Sequence, residues 1–227
     1  LTTLFPKPLV KLATPIIRYL RHWDKASSKK PDVILANSEY TAQKVKRFYG
    51  RGATVLHPPV NNAIFYPDLN PGKKNYFVAF GRLIHYKRFD LVIKAFNKLE
   101  LPLKIIGSGP DEERLRKLVR SNQIEMIPEI KDENILRRIV SDSQALIFPQ
   151  VEDFGLVAAE SLACGTPVIA YAAGGALEIV VDGINGVFFE EQTEESLTRA
   201  VRRFQEMKFQ EEEVASSAQK FSEALFK

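Results

Sequence analysis

From Asn75 onward the chain alternates short unbroken apolar runs with longer amphipathic stretches. The runs at 76–80, 103–106, 145–148, 168–171 and 187–189 show no apolar–polar alternation, so each predicts a strand buried on both faces. A weaker strand is expected at 125–127. Helical spacing predicts helices at 89–99, from Asp111, and at 132–141, 155–163, 175–181 and 194–207. Doubly buried strands separated by helices imply a parallel sheet, and right-handed crossovers make it doubly wound. The expected fold class is α/β and Rossmann-like.

The earlier segment is less regular. Pro15 suits the first turn of a basic helix carrying Ile16, Ile17, Tyr19, Leu20 and Trp23. Val33-Ile34-Leu35-Ala36 reads as a short buried strand, Ser38 as the cap of a helix that Gly50 stops, and 53–56 as a second strand. Residues 58–74 are rich in Pro, Asn and Gly, as a connecting stretch would be. At the far end Phe221, Leu225 and Phe226 are spaced for one apolar helix face. The organisation expected is an amino-terminal part at 1–66, a linker at 67–74, a main domain at 75–208, and a closing helix at 209–227 packing back toward the amino-terminal part.

Composition excludes classes rather than choosing one. With 227 residues, 45% hydrophobic and 26% charged, the chain is neither disordered nor fibrous. No apolar run approaches the roughly 20 residues that span a bilayer. A single cysteine, Cys164, excludes an intrachain disulfide and fits a reducing compartment. His22, His57 and His85 lie far apart, and no metal-ligand spacing is present. Thirty-two basic against 28 acidic residues give a net charge of +4, too mild and dispersed for a nucleic-acid binder. Phosphate-bearing small molecules or an anionic membrane surface fit the same bias.

Ligands of such sheets bind beyond the carboxyl ends of the strands, which directs attention to four loops. Gly81 turns the backbone after the first run, and Arg82 and Lys87 follow as a guanidinium fork and a point charge suited to phosphate. Gly107-Ser108-Gly109-Pro110 lets a ligand approach the backbone closely. Glu152 lies just before a helix starting near Gly155, whose free amides suit a phosphate or sugar hydroxyl. Glu160 falls in the second turn of that helix, and two carboxylates at different heights suit a ligand with two sugar rings. Residues 172–175 again place small residues at a strand end. Cys164 reads as packing, and His57 and His85 as local structure.

Together FGRLIHYK, IIGSGP and EDFGLVAAESLACGTPVIA closely resemble the family-4 retaining glycosyltransferases, whose GT-B architecture sets two Rossmann-like domains across a cleft. The likeness runs from DVILANS through HPPV to the end. WDKASSKKPDVILANS and VLHPPVN look most like bacterial and archaeal mannosyltransferases of surface-polysaccharide pathways. The resemblance implies a carboxyl-terminal donor domain plus a remnant of the amino-terminal, acceptor-side domain. Carried over by position, it makes Glu152, Arg82 and Lys87 the catalytic set, with Arg82 and Lys87 on the donor diphosphate and Glu152 on the donor sugar. Glu160 would hold the ribose, and the amides of Phe154, Gly155 and Leu156 the sugar and phosphate. Gly81, Gly107, Ser108, Gly109 and Ile130 would complete the donor site, the last four beside the base. Pro128-Glu129 depart from the family's usual glycine there. It further implies no metal and no cofactor, a nucleotide-diphosphate sugar as co-substrate (GDP-mannose favoured over a UDP-sugar), and a glycan or lipid-linked acceptor. A cytoplasmic location, with peripheral contact at the inner face of the membrane and a partner domain or chain, completes the expectation.

Overall fold

By its contacts the chain divides into two units, Leu1–Leu56 and His57–Lys227. The structure, a computed structural model, describes residues 7–68, 72 and 74–226, with side chains from residue 13 on. Part of the expected linker (Leu69, Asn70, Pro71 and Lys73) lies outside the described residues.

In the smaller unit, helix α1 (Lys7–Ser27) begins well before Pro15, which stands inside it rather than in its first turn. Strand β1 (Leu35–Ala36), helix α2 (Glu39–Tyr49) and strand β2 (Thr54–Val55) follow. Ser38 caps α2 by accepting from the Thr41 amide at 2.9 Å, and Gly50 ends it in the left-handed region at φ 70°. The strands pair in parallel, Leu35 opposite Thr54. The expected burial of 33–36 is not realised: Ala36 is buried, but Val33 and Leu35 are exposed.

The larger unit holds the regular series. It runs β3 (Phe77–Phe80), α3 (Phe89–Leu99), β4 (Leu103–Ile106), α4 (Glu112–Arg116), β5 (Ile124–Ile127), α5 (Glu133–Ser141) and β6 (Leu146–Phe148). Then come α6 (Leu156–Ala163), β7 (Val168–Tyr171), α7 (Ala176–Ile179), β8 (Gly186–Phe189), α8 (Glu194–Gln205), α9 (Glu211–Ser217) and α10 (Glu223–Phe226). All six strands from β3 to β8 are parallel, in the order β5-β4-β3-β6-β7-β8. The period-2 geometry explains the unbroken apolar runs. Phe77 and Ala79 enter one core layer with Phe89, Phe96 and Leu197, while Val78 and Phe80 enter the other with Ala158, Leu162 and Val214. β6 divides likewise, Ile147 to the first layer and Leu146 and Phe148 to the second.

The division between the units falls at Leu56/His57, earlier than the residue-66 boundary read from the sequence. Val60 and Phe65 account for this: both are buried in the larger unit's core, and the Val60 amide donates to the Phe221 carbonyl at 2.7 Å. The closing segment is not one helix. A 3-10 turn at Gln219–Phe221 separates α9 from α10, burying Phe221 while Leu225 and Phe226 stay exposed.

Candidate functional site

The chain winds outward from β3 through β4 to β5, then returns past β3 to begin β6. The crevice between the carboxyl ends of β3 and β6 is therefore the topological switch point, where open α/β sheets bind ligands. Gly81 follows β3 and Pro149 follows β6, so the first and third loops meet there.

Their side chains do meet. Lys87 Nζ lies 2.9 Å from Glu152 Oε1, and the Gln150 amide donates to the same oxygen at 3.2 Å. Both charged partners are largely shielded, with 14% and 19% of their side chains exposed. A Cβ on Gly81 would sit 3.3 Å from Lys87 Nζ, so the glycine keeps that space open. The Arg82 guanidinium makes no hydrogen bond or ion pair among the described residues, and Arg82 lines a cavity of about 400 Å³ with Gly81, Ser108, Glu129, Ile130 and Leu136. An unpaired guanidinium beside a lysine–carboxylate pair is an arrangement ready for an anion.

Backbone bonds stitch the second loop to the first. The Leu83 amide donates to Ser108 O at 2.8 Å, and the Asp111 amide to Leu83 O at 3.1 Å. Gly107 and Gly109 both have φ near +150°, and a Cβ on either would overlap a carbonyl oxygen, that of Gly81 or of Leu83. Only glycine permits that approach. Ser108 Oγ donates to Glu129 Oε2 at 3.1 Å across the cavity rim.

The third loop feeds α6 through Gly155 at φ 105°, with no side chain capping the helix. The amides at that end are therefore open to a ligand. Phe154 is buried, its ring stacked on His57 and edge-on to Phe221, while Leu156 is partly exposed. Glu160 sits in the second turn of α6, as expected. Burial, reinforced by the nearby Glu133 carboxylate, pushes its carboxyl up to about 7. Neither Glu152 nor Glu160 lines the cavity that holds Arg82, Ser108 and Ile130.

Two features escaped sequence reasoning. Glu178 pairs with His57 at 3.0 Å although 121 residues separate them, and Lys220 Nζ donates to the Glu178 carbonyl. Leu136 and Glu129 line the cavity, and only the departure at 128–129 drew attention to the second. Cys164 is buried, and burial pushes its thiol up to about 12, as a packing role requires.

Glu160 makes a pH prediction. Its folded-state value lies above the ordinary one, so the neutral acid persists up to about pH 7 and the carboxylate forms above it. A carboxylate accepts hydroxyl hydrogen bonds more strongly than the neutral acid does. If Glu160 holds the ribose of a nucleoside diphosphate, as the sequence resemblance implies, that ligand's affinity should rise several-fold between pH 6 and pH 8. The ligand's own terminal phosphate ionises in this window, so the diagnostic is the difference from Glu160→Gln. Calorimetry on that variant should show a shallower rise; an identical profile would remove Glu160 from the ligand.

Residues 61–223 match the family described as Glycosyl transferases group 1. An uncharacterized glycosyltransferase of Methanocaldococcus jannaschii is 27% identical over 184 residues, which cover 80% of this chain and 52% of that one. The D-inositol 3-phosphate glycosyltransferase of Mycolicibacterium smegmatis is 29% identical over 181 residues, covering 70% and 42%. The chain thus spans about half the length of the curated relatives it matches. The solved structure of Anabaena HepE in complex with UDP and glucose superposes with a TM-score of 0.76 at 17% identity, covering 88% of this chain and 62% of the other. No described helix is long and apolar enough to cross a membrane.

Proposed function

Because the chain belongs to the group 1 glycosyl transferase family, we propose that its larger unit binds a nucleotide-diphosphate sugar whose hexosyl group, with mannosyl favoured, passes to a glycan or lipid-linked acceptor with retention of configuration. The observation that carries this is the charge arrangement at the switch point. An Arg82 guanidinium with no partner among the described residues, the Lys87–Glu152 pair and the uncapped start of α6 converge on the β3 and β6 ends. The cations and helix amides hold the diphosphate as charge develops on it. Glu152 positions the sugar, and Glu160 receives the ribose. The acceptor hydroxyl attacks the anomeric carbon from the leaving-group face. As the bond to the diphosphate breaks, the departing phosphate oxygen takes the hydroxyl proton, and no enzyme nucleophile is used.

A second reading is favoured by the chain's spanning about half its relatives' length. It is a donor-binding module that turns over only with a further domain or partner chain. Turnover of a labelled donor separates the two, since a binding module retains the sugar on the nucleotide.

The phosphate arrangement also predicts metal independence, because Arg82, Lys87 and the α6 amides already supply positive charge. Donor affinity measured calorimetrically in excess chelator should equal that in magnesium. A tenfold loss on chelation would contradict the proposed charge roles, and failure of any nucleotide sugar to bind would overturn the function itself.

A further inference from the structure

Eleven residues line the cavity beyond β3, β4 and β5, and only Arg82 and Glu129 among them carry charge. They stand after different strands, Arg82 after β3 and Glu129 after β5, with β4 between. Adjacent strands lie about 4.8 Å apart, so roughly 10 Å separates these two strand ends. An anionic phosphate belongs at the Arg82 end and is repelled from the Glu129 end. Phe80, Ile106, Ile130 and Leu136 supply apolar walls between them. That polarity leaves the Glu129 end for the base of a bound nucleotide.

We propose that Glu129, held by the Ser108 hydroxyl, selects the base of the donor nucleotide, favouring guanine. The inference rests on the nucleotide-sugar reading above and extends it to the base. An ionised carboxylate only accepts hydrogen bonds, through two oxygens with about four lone-pair sites. The Ser108 hydroxyl occupies one site on Oε2 at 3.1 Å, and Oε1 remains to accept from a ligand. Guanine presents two adjacent donors, N1–H and the N2 amino group, which match the two oxygens of one carboxylate. Uracil flanks its single N3–H with carbonyl acceptors, which a carboxylate repels. Adenine and cytosine each set an amino donor beside a ring-nitrogen acceptor, so one of the two contacts is lost.

The test is a calorimetric titration of the 227-residue chain with GDP, UDP, ADP and CDP, repeated on Glu129→Gln and Ser108→Ala. The wild-type chain should bind GDP at least about tenfold more tightly than the other three, as two charge-assisted bonds require. Glutamine replaces two acceptors by one acceptor and one donor, so Glu129→Gln should abolish the GDP preference and improve UDP relative to GDP. Both side chains lie on loops, and Ser108→Ala, which only frees the carboxylate, should lower the preference without abolishing it. Equal affinities in the wild type, a preference for UDP, or a GDP preference that survives Glu129→Gln would each overturn the assignment while leaving nucleotide binding intact. Binding of none of the four would instead overturn the proposed function.

Discussion

Arg82→Ala should weaken nucleoside diphosphate binding about tenfold with an unchanged melting temperature, and Lys87→Ala should weaken it closer to a hundredfold. A charge-assisted contact contributes about 1.5–3 kcal/mol, which sets that range. The difference between the variants comes from what each cation leaves behind. The Arg82 side chain has no partner among the described residues, so its removal costs only the proposed phosphate contact. Lys87 is paired with Glu152 at 2.9 Å, and both side chains are largely shielded. Removing it loses the proposed phosphate contact and also leaves the Glu152 carboxylate facing the incoming diphosphate. Glu152→Gln works in the opposite direction: it releases Lys87, so free nucleoside diphosphate should bind as well or better. The complete nucleotide sugar should then lose the contact proposed between Glu152 and the sugar. Calorimetry on the three variants reads all of this directly. Unaltered affinity in both Arg82→Ala and Lys87→Ala would remove the diphosphate from this crevice.

Legibility in the sequence followed the local physics of each element. Doubly buried strands announce themselves, because both faces of β3, β6 and β7 demand apolar side chains and the run is unbroken. The same run at 33–36 misled, since a two-stranded sheet leaves Val33 and Leu35 in solvent. Run length cannot tell how many neighbours a strand will have. The boundary at Leu56/His57 was hidden for a related reason: the 58–74 stretch looks like a linker, yet Val60 pairs with Phe221 far along the chain. Of the site, the loops could be read because glycine at a strand end and a helix start in the next few residues are local signals. The Lys87–Glu152 pair and the His57–Glu178 pair were not legible as contacts, since each joins residues that only the closed sheet brings together. The Glu160 perturbation belongs to the same class, arising from burial and from Glu133 on a different helix.

Gly107→Ala should be the most damaging single-atom-scale change in the site. The backbone there has φ +151°, and the added methyl would overlap the Gly81 carbonyl oxygen, a backbone atom that no rotamer change can move. Backbone strain of this kind costs about 1–3 kcal/mol before any overlap is counted. A total near 3 kcal/mol or more should lower the melting temperature by about 6–12 °C in a chain of this size. The consequence reaches the ligand through two bonds. The Gly81 amide donates to Ile106 O and the Gly107 amide to Ile127 O, both at 3.0 Å, so displacing Gly107 loosens the ends of β3, β4 and β5 together. Arg82 hangs from the first of these ends and Glu129 from the last. Gly107→Ala should therefore lose stability and nucleotide binding at once, whereas Arg82→Ala loses binding alone. Gly52→Ala is the matched control: a Cβ there meets nothing within 4 Å, and no left-handed φ is involved, so the melting temperature should hold or rise slightly. A Gly107→Ala protein as stable as Gly52→Ala would mean that the two loops do not approach each other as closely as their backbone bonds require.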